Sequence, residues 1–224
     1  MASVSFGGVG KTLLSPSSRK CQLSAGRRIS NAVEMRPLEA IGILAAVWAI
    51  SWWLAALWTR RATARAGLLA QLPYFIATFL GFALMFNERV WTAAGLHYRL
   101  WVTPDAIGWW LFGVAAIGVL FMWWARIHLG VLWSGSVTRK DDHKIVDTGP
   151  YRIVRHPIYT GLLIGALAVA LLLGTVNGFA GFALLWIGFF IKARLEERFL
   201  RQGLGAEPYD AYAARVPMLV PFWR

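Results

Sequence analysis

Between Leu38 and Trp58 the chain carries a single charged residue, Glu39, in a run otherwise built of Leu, Ala, Ile, Val and Trp with one Gly and one Ser. A run of that length and polarity is long enough to cross a bilayer as a helix, and inside lipid only a helix or a closed barrel pairs every backbone group. Further apolar runs follow: Pro73 to Phe86 with a possible start at Leu68, Asp105 to Trp124, Pro157 to Gly174, and Phe179 to Ile191. Hydrophobic residues make up 58% of the 224, with a mean hydropathy of +0.53, beyond an ordinary water-soluble domain. The fold class expected is an all-α integral membrane protein of about five transmembrane helices. The last two runs are short and read as a tilted hairpin whose second helix continues past Lys192 into the aqueous layer. The turn between them is GTVNG at 174–178, and another helix is expected from Pro208 to Arg215.

The net charge of +12, from 23 basic and 11 acidic residues, would suggest nucleic acid in a soluble protein. Here the charge lies between apolar runs, where it marks the cytoplasmic side instead, and no nucleic-acid partner is expected. Arg60, Arg61 and Arg65 make the stretch after the first run +3. Glu88 and Asp105 balance Arg89 and Arg99 after the second. Residues 125–156 carry six basic and three acidic groups, again +3. The C-terminal region is +2, with Lys192, Arg194, Arg198, Arg201, Arg215 and Arg224 against Glu196, Glu197, Glu207 and Asp210. Five spans then place the loop after span one, the 125–156 loop and the C-terminus in the cytoplasm.

Residues 1–34 differ from the rest, being rich in Ser, Gly and Arg with Glu34 the only acid. Three readings are open: an over-long reading frame with Met35 the true start, an organelle transit peptide, or a functional tail. The string GGVGKT at 7–12 does not make a phosphate loop, because Ser5 stands where that motif needs its first Gly, and Pro16 cuts short the helix that must follow. Cys21 is the only cysteine, so a disulfide within the chain is excluded and a thiol nucleophile is not expected. The histidines lack metal-ligand spacing, and no metal is expected. The body divides into residues 35–128, carrying spans one to three, and residues 129–224, carrying the chemistry.

The densest polar block in the apolar body is HKIVDTGPYRIVRHPIYTG at 143–161. Pro157 suits a helix start, and residues just before it lie where a helix presents free N–H groups that favour an anion such as a carboxylate. Tyr151, His156 and Tyr159 add flat rings with polar tips. A second block follows at Lys192, Glu196 and Glu197. Lys192 and Glu196 are four apart, as are Glu197 and Arg201, so both pairs fit a helix surface. Equally, Glu196 fits as the partner of an ammonium group. An antiparallel hairpin brings His156 and Glu196 to the same membrane face.

Together with EERFL at 196–200 and GAEPYDAYAARVPMLVP at 205–221, the first block resembles the isoprenylcysteine carboxyl methyltransferase family. LGVLWSG at 129–135 is similar to its bacterial members. The likeness covers about Leu129 to Phe222, less than half the chain. RHPxYxG alone is shared with membrane methyltransferases acting on phospholipid amines, and in looser form with sterol-reductase-like proteins.

The resemblance implies a C-terminal helical core that binds S-adenosyl-L-methionine at the cytoplasmic membrane face. Its cofactor-binding residues would be His143, Lys144, Ile145, Val146, Tyr151, His156, Pro157, Ile158 and Tyr159, with Glu196 by the cofactor's amino group. Lys192 and Arg155 are the candidate catalytic residues. Lys192 stands where the family has a substrate-contacting arginine, and lysine supplies the charge without the bidentate fork. The implied reaction is methyl transfer to the carboxylate of an isoprenylcysteine-like or other lipidic acceptor. A phospholipid or small-amphiphile methyltransferase and a non-catalytic membrane protein are the alternatives.

Overall fold

The computed structural model describes residues 35–57, 64, 65, 67–133, 138, 139 and 145–223. The described residues from Arg36 onward belong to one compact body. The expectations for residues 1–34, His143 and Lys144 lie outside the described residues.

Among the described residues the helices are α1 (Pro37–Ala56), α2 (Leu68–Phe86), α3 (Glu88–Ala93), α4 (Asp105–Leu129), α5 (Pro157–Leu173), α6 (Val176–Leu204) and α7 (Ala206–Arg215). A two-residue antiparallel pair joins β1 (Ala64–Arg65) to β2 (Thr138–Arg139). Helices α1, α2, α4 and α6 are long and apolar enough to cross a membrane, and α5 is a shorter apolar helix of 17 residues. At about 1.5 Å per residue α5 reaches roughly 25 Å, somewhat less than the hydrocarbon thickness. The fold class is therefore the all-α membrane protein expected.

Two boundaries, the end of α4 and the start of α6, differ from the sequence reading, and a third, the start of α2, is settled between its two expected positions. Helix α2 begins at Leu68, the earlier of the two starts the sequence allows, so Pro73 sits inside it rather than in its first turn. Leu68 and Leu69 are exposed apolar residues that lengthen the span, at the cost that Pro73, the sixth helical residue, supplies no N–H to the Leu69 carbonyl four residues earlier. Helix α4 runs on to Leu129 instead of stopping at Trp124. Its Arg126 is buried, donating to Gly130 O at 2.6 Å and Ala55 O at 2.7 Å, with its guanidinium 4.6 Å from the Trp133 ring centroid. A charge satisfied by carbonyls and an aromatic face does not end an apolar helix. Helix α6 begins at Val176 rather than Phe179, and it runs on past Lys192 as expected, carrying Lys192, Glu196 and Glu197.

Packing makes two helix pairs, α4 against α5 and α2 against α6, joined by the α5–α6 hairpin, while α1 lies on α4. Each pair crosses at glycines. A Cβ on Gly161 would meet Gly118 O and Met122 Cγ, both at 2.6 Å, and one on Gly181 would meet Gly81 O at 2.6 Å. Small residues let helices approach closely where lipid gives them no hydrophobic reason to associate. Outward residues such as Trp53, Phe79, Trp110 and Leu120 are exposed, as suits a surface solvated by acyl chains.

The hairpin turn fixes the geometry of the opposite end. Gly174 ends α5 at φ 59, a left-handed conformation glycine adopts without strain. Thr175 caps α6 by accepting the Gly178 N–H at 3.0 Å. Leu100 N–H donates to Gly174 O at 2.7 Å, and Trp101 Nε1 and Thr103 Oγ1 donate to Leu171 O and Leu172 O at 3.1 and 2.9 Å. The Leu171, Leu172 and Gly174 carbonyls at the end of α5 are thus paired, and the hairpin is fixed with Pro157 and Glu196 at the same end.

Candidate active site

The two polar blocks meet where α5 begins and α6 nears its end. His156 caps α5, and its imidazole lies between two carboxylates. Nδ1 is 3.5 Å from Glu196 Oε2, and Nε2 is 3.3 Å from Glu197 Oε1. Burial alone would lower the His156 pKa, but the two facing carboxylates reverse that and raise it above 6.5. An imidazole with an acceptor at each ring nitrogen is favoured as the cation.

Tyr159, one turn into α5, donates to Glu196 Oε1 at 2.5 Å. Its ring stacks on His156 at 5.5 Å between centroids and on Phe189 of α6 at 5.2 Å. Lys192 Nζ lies 5.2 Å from the Tyr159 ring centroid and 5.5 Å from that of Tyr74 on α2. Lys192 and Glu196 stand one turn apart, so both face the same ring system. The cluster presents one carboxylate, one ammonium and an aromatic column against an apolar wall.

The remaining predicted residues separate by role. Arg155 donates from Nε to Glu197 Oε1 at 2.7 Å and from Nη1 to Ala213 O and Val216 O. It ties α6 to α7 and to the segment that follows. Tyr151 is buried in the turn Gly149–Arg152, stacked 6.3 Å from the His128 ring, with its carbonyl accepting from Tyr212 Oη at 2.7 Å. Burial raises the pKa values of Tyr151, Tyr209 and Tyr212, so these phenols stay protonated donors. Ile145 packs with Tyr209, Tyr212 and Val216, and Val146 is half-buried. Pro157 is buried, and Ile158 packs on the main core.

One expectation is corrected. The N–H groups just before Pro157 are not open to an anion: Arg155 N–H donates to Pro217 O at 2.8 Å and His156 N–H to Met218 O at 3.1 Å. Thr160 Oγ1 donates to Leu219 O at 2.7 Å. The PMLVP segment lies along the helix start and accepts from the Arg155 and His156 N–H groups and the Thr160 hydroxyl. The surface pairing of Glu197 with Arg201 is also replaced, because Arg201 pairs with Asp210 at 2.7 Å while Glu197 turns inward to Arg155 and His156.

Sequence reasoning missed Tyr74 and Gln71 altogether and gave Glu197 only a surface role. A signal was present for the first two. They are polar, three apart, and lie within an apolar span, where a polar side chain needs a partner or a use. Among the described residues no group of three His, Cys, Asp or Glu could hold a metal ion.

Residues 110–202 match the isoprenylcysteine carboxyl methyltransferase (ICMT) family. The match runs from α4 through α5 into α6, and bears out the likeness read from the two polar blocks. Protein-S-isoprenylcysteine O-methyltransferase B of Arabidopsis thaliana is 36% identical over 88 residues, 39% of this chain and 44% of that protein. The Schizosaccharomyces pombe protein-S-isoprenylcysteine O-methyltransferase is 36% identical over 100 residues, 43% of this chain and 42% of that protein. Cobalt-zinc-cadmium resistance protein CzcN of Cupriavidus metallidurans is 25% identical over 147 residues, 65% of this chain and 60% of that protein. The chain spans less than half the length of these two isoprenylcysteine relatives.

Proposed function

We propose that this chain is an S-adenosyl-L-methionine-dependent membrane methyltransferase acting on the carboxylate of an isoprenylcysteine-like or other lipidic acceptor at the cytoplasmic face. The observation that carries the reading is the junction of His156 and Tyr159 with Glu196 and Lys192 inside the segment similar to the ICMT family.

The donor set fits the cofactor's amino-acid end. Glu196 is held by Tyr159 and His156 yet keeps 20% of its side chain exposed, leaving a carboxylate edge for an ammonium group. His143, Lys144, Ile145 and Val146 are assigned to its lining, with Tyr151, His156, Pro157, Ile158 and Tyr159 forming the wall. When bound, the cofactor supplies an electrophilic methyl group on a sulfonium. The chain's own residues hold, align and dry the reacting groups. An acceptor carboxylate is already ionised at neutral pH, so no general base is required. Alignment and exclusion of water then carry most of the effect. Lys192 is assigned to the acceptor's anionic group. Arg155, the second residue assigned to catalysis, acts from behind by fixing Glu197 and the helix start.

An amine acceptor, as in a phospholipid methyltransferase, must lose a proton. His156 is poorly suited to take it, since two carboxylates favour its protonated form. This supports the carboxylate reading over the amine alternative.

The experiment is incubation of the purified protein in lipid nanodiscs with isotope-labelled cofactor and either an N-acetyl prenylcysteine or a phospholipid amine. A base-labile methyl ester on the prenylcysteine, found by mass spectrometry, is the expected product. Methylation of the amine alone favours the alternative. No product, together with no cofactor binding by calorimetry, leaves a non-catalytic membrane protein.

A further inference from the structure

Helix α2 is apolar over most of its length, yet it buries two polar side chains on one face. Gln71 is 5% exposed and Tyr74 2%. Tyr74 Oη donates to Gln71 Oε1 at 2.7 Å, and Ile191, Leu195 and Phe199 of α6 pack against Tyr74. Polar side chains inside a span cost free energy and mark function. The hydrogen bond sets the plane of the Tyr74 ring, and that ring faces the Lys192 ammonium from one side while Tyr159 faces it from another. A lysine stem is long and flexible, whereas two ring faces hold the ammonium at one place. Contacts therefore run from Gln71 through Tyr74 and Lys192 to Tyr159 and Glu196. The first two of these residues lie outside the 110–202 segment that matches the ICMT family.

We propose that Tyr74, oriented by Gln71, is a positioning residue that aims the Lys192 ammonium at the anionic group of the acceptor, so that α2 sets the preference for an anionic over a neutral headgroup. This rests on the methyltransferase reading of the same cluster. Tyr74 makes and breaks no bond. It fixes a charge.

The test uses the full chain in nanodiscs with Tyr74→Leu, which removes the ring face, and Tyr74→Phe, which keeps it. Three quantities are read: the rate at which an amine-reactive acetylating reagent modifies Lys192, by peptide mass spectrometry; the acceptor KM; and the cofactor Kd. Tyr74→Leu should raise the prenylcysteine KM about tenfold, as for loss of a partly desolvated cation–π contact, with kcat and cofactor Kd within about twofold. Lys192 should be acetylated several-fold faster. Tyr74→Phe keeps the ring face but loses the bond to Gln71, so KM and Lys192 labelling should move the same way by a smaller factor, with cofactor Kd near wild type. Equal Lys192 labelling and equal KM in wild type and Tyr74→Leu overturns the proposal, and so does a Tyr74→Phe protein indistinguishable from wild type, since Gln71 would then orient nothing. If labelling responds as expected while wild type methylates no acceptor, the positioning stands and the enzymatic reading falls.

Discussion

His156 and Glu197 lie 41 residues apart in the chain and 3.3 Å apart in space, and the same Glu197 oxygen also accepts from Arg155 Nε at 2.7 Å. This one carboxylate joins the start of α5 to the end of α6. Through Arg155 it also reaches Ala213 O and Val216 O beyond them. A triad of opposite charges at such low exposure is costly to break at one member, because the others remain buried and unpaired.

Glu197→Gln should therefore lower stability by about 3 kcal/mol, toward the low end for a broken buried pair because the amide still fills the space and accepts one hydrogen bond. Thermal unfolding in detergent, followed by tryptophan fluorescence, measures it. A melting temperature unchanged from wild type contradicts the role given to Glu197.

The pH dependence follows from His156. Its folded pKa is raised above 6.5, so its contribution is complete below that value and is lost as pH rises through the folded pKa. The groups facing it are Glu196, Glu197 and, through the stacked ring, Tyr159. The melting temperature should fall as pH is raised from about 6 to about 9, and His156→Gln should flatten that fall. An equal slope in both proteins removes His156 as the cause.

The spans, the hairpin and its two facing polar blocks were legible in the sequence because apolar length and Pro or Gly punctuation report local structure directly. The end of α4 was not, since Arg126 reads as a loop residue until Ala55 and Gly130 carbonyls are seen to accept from it. Glu197 carried the same ambiguity. Arg201 at four residues' distance is an obvious partner, and only the fold supplies Arg155 and Asp210 as better ones. The PMLVP segment was noticed as a motif, but nothing local says that its carbonyls take the N–H groups of Arg155 and His156. Pairings across long sequence separation are set by packing rather than by pattern.

Helix crossing can be tested away from the polar cluster. A Cβ at Gly161 would sit 2.6 Å from both Gly118 O and Met122 Cγ, and backbone cannot yield as a flexible side chain can. Gly161→Ala should cost about 1–3 kcal/mol by overpacking. Gly165→Ala, with nothing within 4 Å of its added Cβ, should be near neutral. Thermal unfolding of the two variants side by side checks the contrast, and equal losses would remove close approach as the reason for Gly161.

The orientation proposed from the positive loops is open to chemical labelling. Ala93 ends α3 and Ala206 begins α7, and both are exposed. With Cys21 replaced by serine, Ala206→Cys should react with a membrane-impermeant maleimide only from the cytoplasmic side, and Ala93→Cys only from the other. Reaction of both from one side contradicts the topology.

The last prediction separates the two charges of the cluster. Glu196 is bound by Tyr159 at 2.5 Å and approached by His156 at 3.5 Å, which leaves its carboxylate oriented but not fully covered. Glu196→Gln keeps the shape and removes the charge. If that charge holds the cofactor's ammonium, cofactor affinity should weaken by roughly 1.5–3 kcal/mol, the range for a hydrogen bond to a charged group. Lys192→Ala, one turn earlier on the same face, should leave that affinity nearly unchanged and instead reduce acceptor methylation. Calorimetric titration with S-adenosyl-L-methionine beside a methylation assay reads both. Unchanged cofactor affinity in Glu196→Gln and in His156→Ala, with α-helical content intact by circular dichroism, would return the cluster to a purely structural role at the membrane surface.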